Sequence, residues 1–547
     1  MTENMVETDV LVVGGGIAGC FAAIKAREQG VDVILVDKGA VGRSGQTPFA
    51  TDFLVFNPEW GHDFGEWMDQ VHRLGEYVNN KEWTEITFKE SIDRYKDLLS
   101  WEVTFHTDEN GVPYRTPVPG GVTEFINMTD RNWAKKMRKQ AKKSGVRIME
   151  RIMVAELLKQ DGRIAGAVGI PMDSSDLIIF KAKAVIMSVG ASGLKPLGFP
   201  IANLTADGEA MAYRAGAEIG GKEFQDPHWT SAETPGLGPR PSSHGGSDGG
   251  PPPKRPLMRF VDAEGKPVER PEGSCGYPFA YMDLEFRVHE GKAPMYRLGP
   301  DGTKSAVVGG AALGMAVRKT EGIRPVDKNC ASSVPGLYAA GDTCSNMAAG
   351  AVYSTMGSCL AGGAVTGTRA AQASAKYASR IDSIELSDGE LKRAKDFVSG
   401  PMQRKGGFSP GWVIQVLRNT MMPYYILYIK KEDRLQAALT IVKFIRDHLV
   451  VKMTAKDAHE LRLANEARNM VLNAEMKLTA SLFRKESRGC HYREDYPRRD
   501  DENWLAWVSI KEENGKMKAS KEPIPKEWGP DRSKSYEERY PYRFLGE

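Results

Sequence analysis

The stretch Asp9-Val10-Leu11-Val12-Val13-Gly14-Gly15-Gly16-Ile17-Ala18-Gly19, close to the start of the chain, decides the fold. Its apolar half predicts a short buried strand, its glycines predict a tight turn, and the following residues 20–29 predict a helix. A second apolar strand over residues 31–36 then leads into Asp37. This is the GxGxxG fingerprint of dinucleotide binding, in the strand–turn–helix context that the motif requires.

The chemistry of a dinucleotide explains these residue types. The glycines Gly14, Gly16 and Gly19, with the small Ala18 between them, let the backbone turn tightly and come close to a pyrophosphate. The start of the helix offers free N–H groups and a positive dipole to that anion. Asp37 is suited to accept hydrogen bonds from both ribose hydroxyls. The sequence therefore predicts a dinucleotide cofactor.

The bulk composition excludes several functional classes. The chain has 547 residues, and its 74 Lys and Arg against 71 Asp and Glu give a formal net charge of +3, too weak to indicate nucleic-acid binding. No run approaches the roughly 18 consecutive apolar residues of a membrane span. Residues 1–4 show neither a basic region nor an apolar leader. We expect two or three domains, no nucleic-acid partner, no membrane span and a cytoplasmic location.

The cysteines lie far apart along the chain and form no CxxC pair. We interpret them as small buried hydrophobic side chains and expect no bound metal. If electrons leave this protein through an iron–sulfur cluster, we expect that cluster in another subunit.

Later segments suggest how the chain is divided. An apolar run predicts a buried strand that ends at Gly190, and residues 205–217 predict a helix. Residues 230–255 hold most of the Pro, Gly and Ser runs, which indicates a surface excursion. Residues 334–342 form a second nucleotide-domain signature, and the chain beyond residue 376 is mainly helical in pattern.

Ordered motifs along nearly the whole chain carry a family resemblance. The chain resembles the flavoprotein subunits of the succinate dehydrogenase and fumarate reductase superfamily, which includes the adenylylsulfate reductase alpha subunit. The motifs are the opening fingerprint with Asp37-Lys38, then Arg43-Ser44-Gly45, residues 205–217, residues 334–342, and the C-terminal residues 486–497 and 500–504.

The resemblance implies an α/β fold in which a Rossmann-like FAD-binding domain is interrupted by a capping domain and followed by a helical C-terminal domain. On this basis we expect the following domains: the first part of the FAD-binding domain over residues 1–228, the capping or substrate domain over 229–322, the return of the FAD-binding domain over 323–376, the helical domain over 377–484, and a C-terminal extension over 485–547.

The resemblance also assigns positions to the FAD. Asp37 would hold the adenosine ribose, Asp207 would lie near the flavin side of the site, and Asp342 would bond the ribityl chain. A helix starting near Ser358 would point its dipole at the flavin ring. The full set of expected FAD-binding residues is Gly14, Gly16, Ala18, Gly19, Asp37, Lys38, Arg43, Ser44, Gly45, Gly190, Asp207, Asp342, Ser358 and Leu360.

One departure from the family pattern concerns how the cofactor is held. Members with covalent flavin carry a histidine after the Arg-Ser pair, and this chain has Gly45 there. We therefore expect non-covalent FAD, as in adenylylsulfate reductase. The departure also weakens the case for succinate oxidation.

Other departures concern the substrate. The arginines that clamp a dicarboxylate and donate its proton in fumarate reductases find no match in residues 283–290 or 351–358. The candidate catalytic residues are His228, which matches a family histidine, with Arg287 and Tyr353. Active-site lining and structural packing are equally open for His228 and Tyr353, and a solvated charged segment is the simpler interpretation of Arg287.

The leading interpretation is an FAD-dependent oxidoreductase that exchanges electrons between a small-molecule substrate under the cap and an iron–sulfur, ferredoxin-like partner. An adenylylsulfate or fumarate/enoate reductase catalytic subunit remains an alternative, as does an electron-relay flavoprotein subunit without its own substrate. A flavin-dependent dehydrogenase or oxidase that delivers electrons to oxygen is a further alternative. The identity of the substrate, the direction of electron flow and the oligomeric state stay open at this point.

Overall fold

The computed structural model describes residues 3–118, 121–130, 132–196, 203–227, 229–232, 259–268, 282–299, 301–309, 313–315 and 319–547. Most of the proline- and glycine-rich segment over residues 230–255 lies outside these ranges, as do His228 and Cys275.

The strands of the described residues are β1 (Glu3–Val13), β2 (Val33–Asp37), β3 (Asp52–Leu54), β4 (Arg115–Pro117), β5 (Glu124–Asn127), β6 (Arg147–Glu150), β7 (Ile152–Gln160), β8 (Arg163–Pro171), β9 (Leu177–Met187), β10 (Ile219–Gly220), β11 (Thr230–Ser231), β12 (Arg259–Val261), β13 (Met295–Leu298), β14 (Lys304–Val308), β15 (Gly322–Ile323), β16 (Leu337–Ala339), β17 (Ile429–Lys430), β18 (Tyr492–Arg493), β19 (Ala506–Glu513) and β20 (Lys516–Pro523).

The α-helices are α1 (Ile17–Glu28), α2 (Phe64–Leu74), α3 (Lys81–Ser100), α4 (Trp133–Lys143), α5 (Asp207–Ala215), α6 (Asp283–His289), α7 (Ser358–Ala378), α8 (Asp388–Gln403), α9 (Pro410–Met421), α10 (Tyr424–Leu427), α11 (Glu432–Phe444), α12 (Ala458–Phe483), α13 (Asp501–Trp504) and α14 (Tyr536–Arg539). None of these helices is both long enough and apolar enough to cross a membrane.

A seven-stranded sheet forms the centre of the nucleotide-binding part. Its strands run in the order β6-β2-β1-β9-β8-β7, and β16 also pairs with β9. The pairings of β1 with β2 and β9, of β2 with β6, and of β9 with β16 are parallel. Helices α1 and α7 pack against each other beside this sheet. The fold is therefore mixed α/β, with the carboxyl ends of parallel strands gathered at one edge.

The chain returns to this sheet after a smaller sheet of its own. Strands β11, β14, β13 and β12 form an antiparallel sheet from residues that follow the first nucleotide-binding segment. Strand β16 then pairs with β9, so residues 337–339 complete the sheet that residues 3–13 began. The sequence-based expectation of an interrupted nucleotide-binding domain is consistent with this order of strands.

The sequence-based elements agree with the structure in type more than in length. The predicted helix over residues 205–217 is α5, and the helical pattern beyond residue 376 corresponds to α8 to α12. The opening strand is longer than predicted, because β1 begins at Glu3. The segment beyond residue 484 contributes β19, which pairs with β10. The early start of β1 and the pairing of β19 with β10 both depend on tertiary contacts, which local sequence patterns do not encode.

Helix α1 lies so close to the end of β1 that only glycine fits at Gly19. A Cβ atom there would lie 1.8 Å from the backbone oxygen of Gly14 and 2.8 Å from Oγ of Ser188. Both neighbours are held in place by the central sheet, and Ser188 Oγ also donates to the oxygens of Val13 and Gly14. The sequence motif is therefore a packing constraint even before any ligand is considered.

We expect Gly19→Ala to lower the free energy of unfolding by about 2–3 kcal/mol, because the added methyl group must displace backbone atoms. Urea denaturation followed by circular dichroism measures the effect. Gly411→Ala is the matched control, since a Cβ at Gly411 in α9 meets no atom within 4 Å. Equal stability of the two variants would contradict the close approach of α1 to β1.

Candidate functional site

A cavity of about 350 Å³ lies at the edge where the parallel strands end. The turn after β1, the end of β2, the residues after β9 and the residues after β16 all contribute to its wall. The start of α5 and the start of α7 close other sides. Ligands of open parallel sheets bind outside the carboxyl ends of the strands, so this cavity is where the fold predicts a ligand.

The glycine turn forms one end of the cavity. Gly14 has a φ of +104°, and a Cβ there would lie 2.3 Å from the backbone oxygen of Ser188. The N–H of Ile17, at the first turn of α1, donates to Oγ1 of Thr47 at 3.0 Å. Gly14, Gly16 and Ala18 all line the cavity, so the backbone at the start of α1 is accessible to a bound anion.

Asp37 lies beside this turn at the end of β2. Its Oδ2 accepts from the N–H of Gly15 and its Oδ1 accepts from the N–H of Gly39, each at 2.6 Å. Burial is the largest influence and raises the pKa of Asp37 above its ordinary value, while the two N–H donors act in the opposite direction. The backbone bonds fix the carboxylate on the cavity wall, and each oxygen keeps a lone pair for a ribose hydroxyl.

Lys38 and Asp207 form an ion pair on the cavity wall. Lys38 Nζ lies 2.7 Å from Oδ2 of Asp207 and 3.2 Å from Oε1 of Glu466. Asp207 is the first residue of α5, and its Oδ1 also accepts from Nδ2 of Asn469 at 2.9 Å. Glu466 and Asn469 belong to α12, so the helical C-terminal region completes the charge balance of the nucleotide-binding region.

Glu466 is a fully buried carboxylate that three cations surround. Lys195 lies 2.8 Å from its Oε2, and Arg462 lies 2.9 Å from its Oε1. Burial alone would raise the pKa of Glu466, but the charges of Lys38, Lys195 and Arg462 outweigh it and lower the pKa to about 2. The carboxylate is therefore ionised at neutral pH and holds Lys38 in position.

Asp342 follows β16 and lines the same cavity. Its Oδ1 lies 3.5 Å from Nζ of Lys319, and both atoms are buried without a hydrogen-bond partner among the described residues. The two opposite charges compensate each other at this distance, and the carboxylate of Asp342 lies on the cavity wall beside the glycine turn. Together with the glycine turn and Asp37, it fits a cofactor with hydroxyl groups and a pyrophosphate.

Most of the sequence-predicted cofactor residues line this cavity. They are Gly14, Gly16, Ala18, Asp37, Lys38, Ser44, Gly45, Gly190, Asp207, Asp342 and Leu360. The candidate catalytic Tyr353 lines it too.

Other predicted residues have a different placement. Gly19 packs against the backbone of Gly14, Ser358 donates to the oxygen of Thr355, and Arg43 is exposed. Arg287 lies on α6, where NH1 is 3.4 Å from Oε2 of Glu290, and it is not among the lining residues. His228 lies outside the described residues. Among the described residues, no group of His, Cys, Asp and Glu side chains could hold a metal ion.

Sequence reasoning missed the contribution of α12. Glu466, Asn469, Asn473 and Lys477 are all buried and follow one another at spacings of three, four and four residues, which places them on one face of the helix. The helical spacing of these four polar residues was a readable signal, although α12 carries other polar residues as well. Glu209 and Ser192 were also missed, although both line the cavity.

Two protein-family models match the chain. The FAD binding domain matches residues 9–245, and the fumarate reductase flavoprotein C-terminal domain matches residues 415–536. The first match contains the glycine turn and Asp207, and the second contains α12. These matches define an FAD-dependent oxidoreductase. The chain belongs to the family of fumarate reductase and succinate dehydrogenase flavoproteins.

Known relatives are similar over nearly the full length. An FAD-dependent oxidoreductase of Methanocaldococcus jannaschii, itself uncharacterized, is 26% identical over 544 residues, covering 92% of this chain and 96% of the relative. One subunit of the fumarate reductase (CoM/CoB) of Methanothermobacter marburgensis is 25% identical over 543 residues, covering 91% of this chain and 96% of that protein.

Solved structures share the fold at lower identity. Adenylylsulfate reductase of Archaeoglobus fulgidus superposes with a TM-score of 0.78 at 20% identity, covering 96% of this chain and 97% of that one. FrdA of the E. coli quinol fumarate reductase, solved as a point variant, gives a TM-score of 0.81 at 18% identity, covering 95% of this chain and 97% of that one. The family and the fold expected from the sequence are confirmed.

We expect Glu466→Gln to lower the free energy of unfolding at pH 7 by about 3 kcal/mol, because it leaves buried cations without their anion. The folded pKa of about 2 lies below the value in an unfolded chain. The ionised carboxylate therefore stabilises fully above about pH 4.3, and this contribution is lost as the pH falls toward 2. The difference between variant and wild type should shrink over the same window.

Urea denaturation at several pH values measures this difference. Glu460→Gln on the same helix is the control, because Glu460 pairs with the exposed Lys456 and its loss should cost less than about 1 kcal/mol. An equal effect of both substitutions would contradict the role assigned to Glu466.

Proposed function

We propose that the chain is a catalytic flavoprotein subunit that exchanges an electron pair between FAD in the cavity and a small-molecule substrate, and exchanges electrons with an iron–sulfur partner. The observation that carries the proposal is the glycine-lined cavity at the carboxyl ends of the parallel strands, with the carboxylates of Asp37 and Asp342 on its wall.

Each residue of the cavity has a distinct task in this proposal. The backbone after Gly14 binds the pyrophosphate, Asp37 binds the adenosine ribose, and Asp342 binds the ribityl hydroxyls. Helix α7 begins at Ser358 and directs the positive end of its dipole toward the cavity wall formed by Met356, Gly357, Cys359 and Leu360. FAD, when bound, supplies the hydride chemistry, and the protein orients it and excludes water.

The substrate side rests on fewer residues. Tyr353 lines the cavity and is almost fully buried, which supports a position in contact with the cofactor or the substrate. His228 and Arg287 remain candidates from the sequence alone. We further propose that residues 229–322 form the cap over the substrate, with residues 1–228 and 323–376 holding FAD, 377–484 the helical domain and 485–547 the C-terminal segment.

The relatives support the proposed partner. The fumarate reductase (CoM/CoB) relative is named as one subunit of its enzyme, and the Rickettsia succinate dehydrogenase relatives are named as flavoprotein subunits. Each of those proteins is therefore one component of a larger enzyme. We propose that this chain works in the same way, with an iron–sulfur protein as its electron-exchange partner in the cytoplasm.

Electron exchange tests this proposal directly. We expect a reduced two-cluster bacterial ferredoxin to reduce the bound FAD under anaerobic stopped-flow conditions. NADH and NADPH are the controls and should not reduce it, because the chain contains one GxGxxG fingerprint and we assign it to FAD. Reduction by a nicotinamide cofactor but not by ferredoxin would overturn the proposed partner class.

The reduced protein also distinguishes the alternatives. We expect fumarate to reoxidise the FAD no faster than buffer does, because the sequence lacks the arginines that hold and protonate a dicarboxylate. Reoxidation by fumarate at an enzymatic rate would instead establish a fumarate reductase subunit. Rapid reoxidation by oxygen with formation of hydrogen peroxide would establish an oxidase.

We also propose that the FAD is not covalently attached. Gly45 lines the cavity at the position where covalent members carry histidine, and its φ of +76° is a left-handed conformation that favours glycine. Acid precipitation of the purified protein should therefore leave all flavin absorbance in the supernatant. A yellow pellet that keeps its flavin after washing in denaturant would contradict this.

A further inference from the structure

A second cluster of buried charges lies directly behind the cavity wall. Lys222 Nζ contacts Oε2 of Glu209 and lies 3.0 Å from Oε2 of Glu321. Lys477 Nζ contacts the same oxygen of Glu321 at 2.8 Å. All four side chains are almost completely buried. None of the four is among the cofactor-binding or catalytic residues expected from the sequence.

Secondary structure brings these residues together from distant parts of the chain. Strands β10 and β15 pair antiparallel with Gly220 opposite Gly322, which places Lys222 and Glu321 side by side beyond the strand ends. Helix α5 supplies Glu209, and α12 supplies Lys477. The cluster is therefore a meeting point of four separate elements.

Lys222 and Glu209 connect the cluster to the cavity. Nζ of Lys222 donates to Oγ of Ser192 at 3.1 Å as well as to Glu209, and both Ser192 and Glu209 line the cavity. Oε1 of Glu209 is buried without a hydrogen-bond partner among the described residues. A charge placed in the cavity is therefore separated from Lys222 by a single layer of side chains, formed by Ser192 and Glu209.

The surroundings of Lys222 make its proton exchangeable. Glu209, Glu321 and Lys477 are the charged groups that face Lys222. Ser192 and Asn473 are its neutral hydrogen-bond partners, and the charge of Glu223 acts on Lys477. Burial is the largest influence and lowers the pKa of Lys222 to about 7, with Glu321 opposing it and Lys477 reinforcing it. A buried lysine without full compensation can lose its proton near neutral pH.

We propose that Lys222 and Glu209 form a proton-exchange pair, which takes up a proton from solvent when negative charge is added to the FAD and releases it when that charge is removed. The proton forms an N–H bond on the neutral amine of Lys222, or an O–H bond on Glu209, and no group of the pair is oxidised or reduced. The electrons come from the redox partner. The inference rests on the proposed function, because it requires FAD in the cavity.

The midpoint potential of the bound FAD, measured spectroelectrochemically between pH 5.5 and 9, tests the pair. In the wild type we expect a plot of potential against pH to become steeper above about pH 7, where Lys222 starts out neutral and gains a proton on reduction. In Lys222→Met this steepening should be absent. A wild-type profile in Lys222→Met would overturn the inference.

Lys477→Met is the matched control. Lys477 is as buried as Lys222 and also pairs with Glu321, but Glu321 does not line the cavity. The steepening should persist and move to higher pH, because the charge of Lys477 lowers the pKa of Lys222. Loss of the steepening in Lys477→Met as well would show a general structural effect and would also overturn the inference.

If the Lys222→Met protein does not fold, two further measurements still test the pair. Glu209→Gln, which keeps the size of the side chain, should move the steepening to lower pH by removing the anion next to Lys222. In the wild type, an indicator dye should detect more protons taken up per FAD reduced at pH 8 than at pH 6, and equal uptake would contradict the pair. A purified protein without flavin absorbance would instead refute the proposed function.

Discussion

The cavity of this protein depends on one requirement, which is that charges buried beside it must be paired. Helix α12 meets that requirement with a stripe of polar side chains on a single face. Glu466 neutralises Lys38, Asn469 holds Asp207, Asn473 accepts from Lys222, and Lys477 pairs with Glu321. Because removal of one partner from a buried ion pair costs about 3–5 kcal/mol, Glu466 and Lys477 hold Lys38 and Glu321 in position.

This dependence explains why the helical C-terminal region and the nucleotide-binding region act as one unit around the cavity. The glycine turn, Asp37 and Asp342 come from the sheet and form the sides that suit a pyrophosphate and hydroxyl groups. Asp207, at the start of α5, lies between the sheet and α12 and has a partner on each side, Lys38 and Asn469. Glu209 in the same turn pairs with Lys222. A change on α12 is therefore expected to alter the cavity without touching a ligand.

Much of the sheet side could be predicted from the sequence, and most of the helical side could not. The glycine turn and Asp37 are readable because one local unit, a strand with a turn and a helix, creates the site by itself. The pairing of Lys222 with Glu209 and Glu321 depends on the register of two-residue strands and on a helix more than 200 positions away, and no local pattern specifies such contacts. The α12 stripe was readable as buried polar spacing, but its partners were not.

The motifs of the chain are of two kinds, those that line the cavity and those that do not. The C-terminal motif that supports the family resemblance does not line the cavity. Within it, the fully buried Glu486 pairs with Arg488 and with Arg484, which lies just before the motif. Arg484 also pairs with Glu223, the neighbour of Lys222 in the chain. A long motif of this kind is specific because each buried charge requires a defined partner. It therefore identifies the fold that holds the cofactor. The departures from the family pattern at Gly45 and in residues 351–358 lie outside this motif, so the motif carries no information on the substrate.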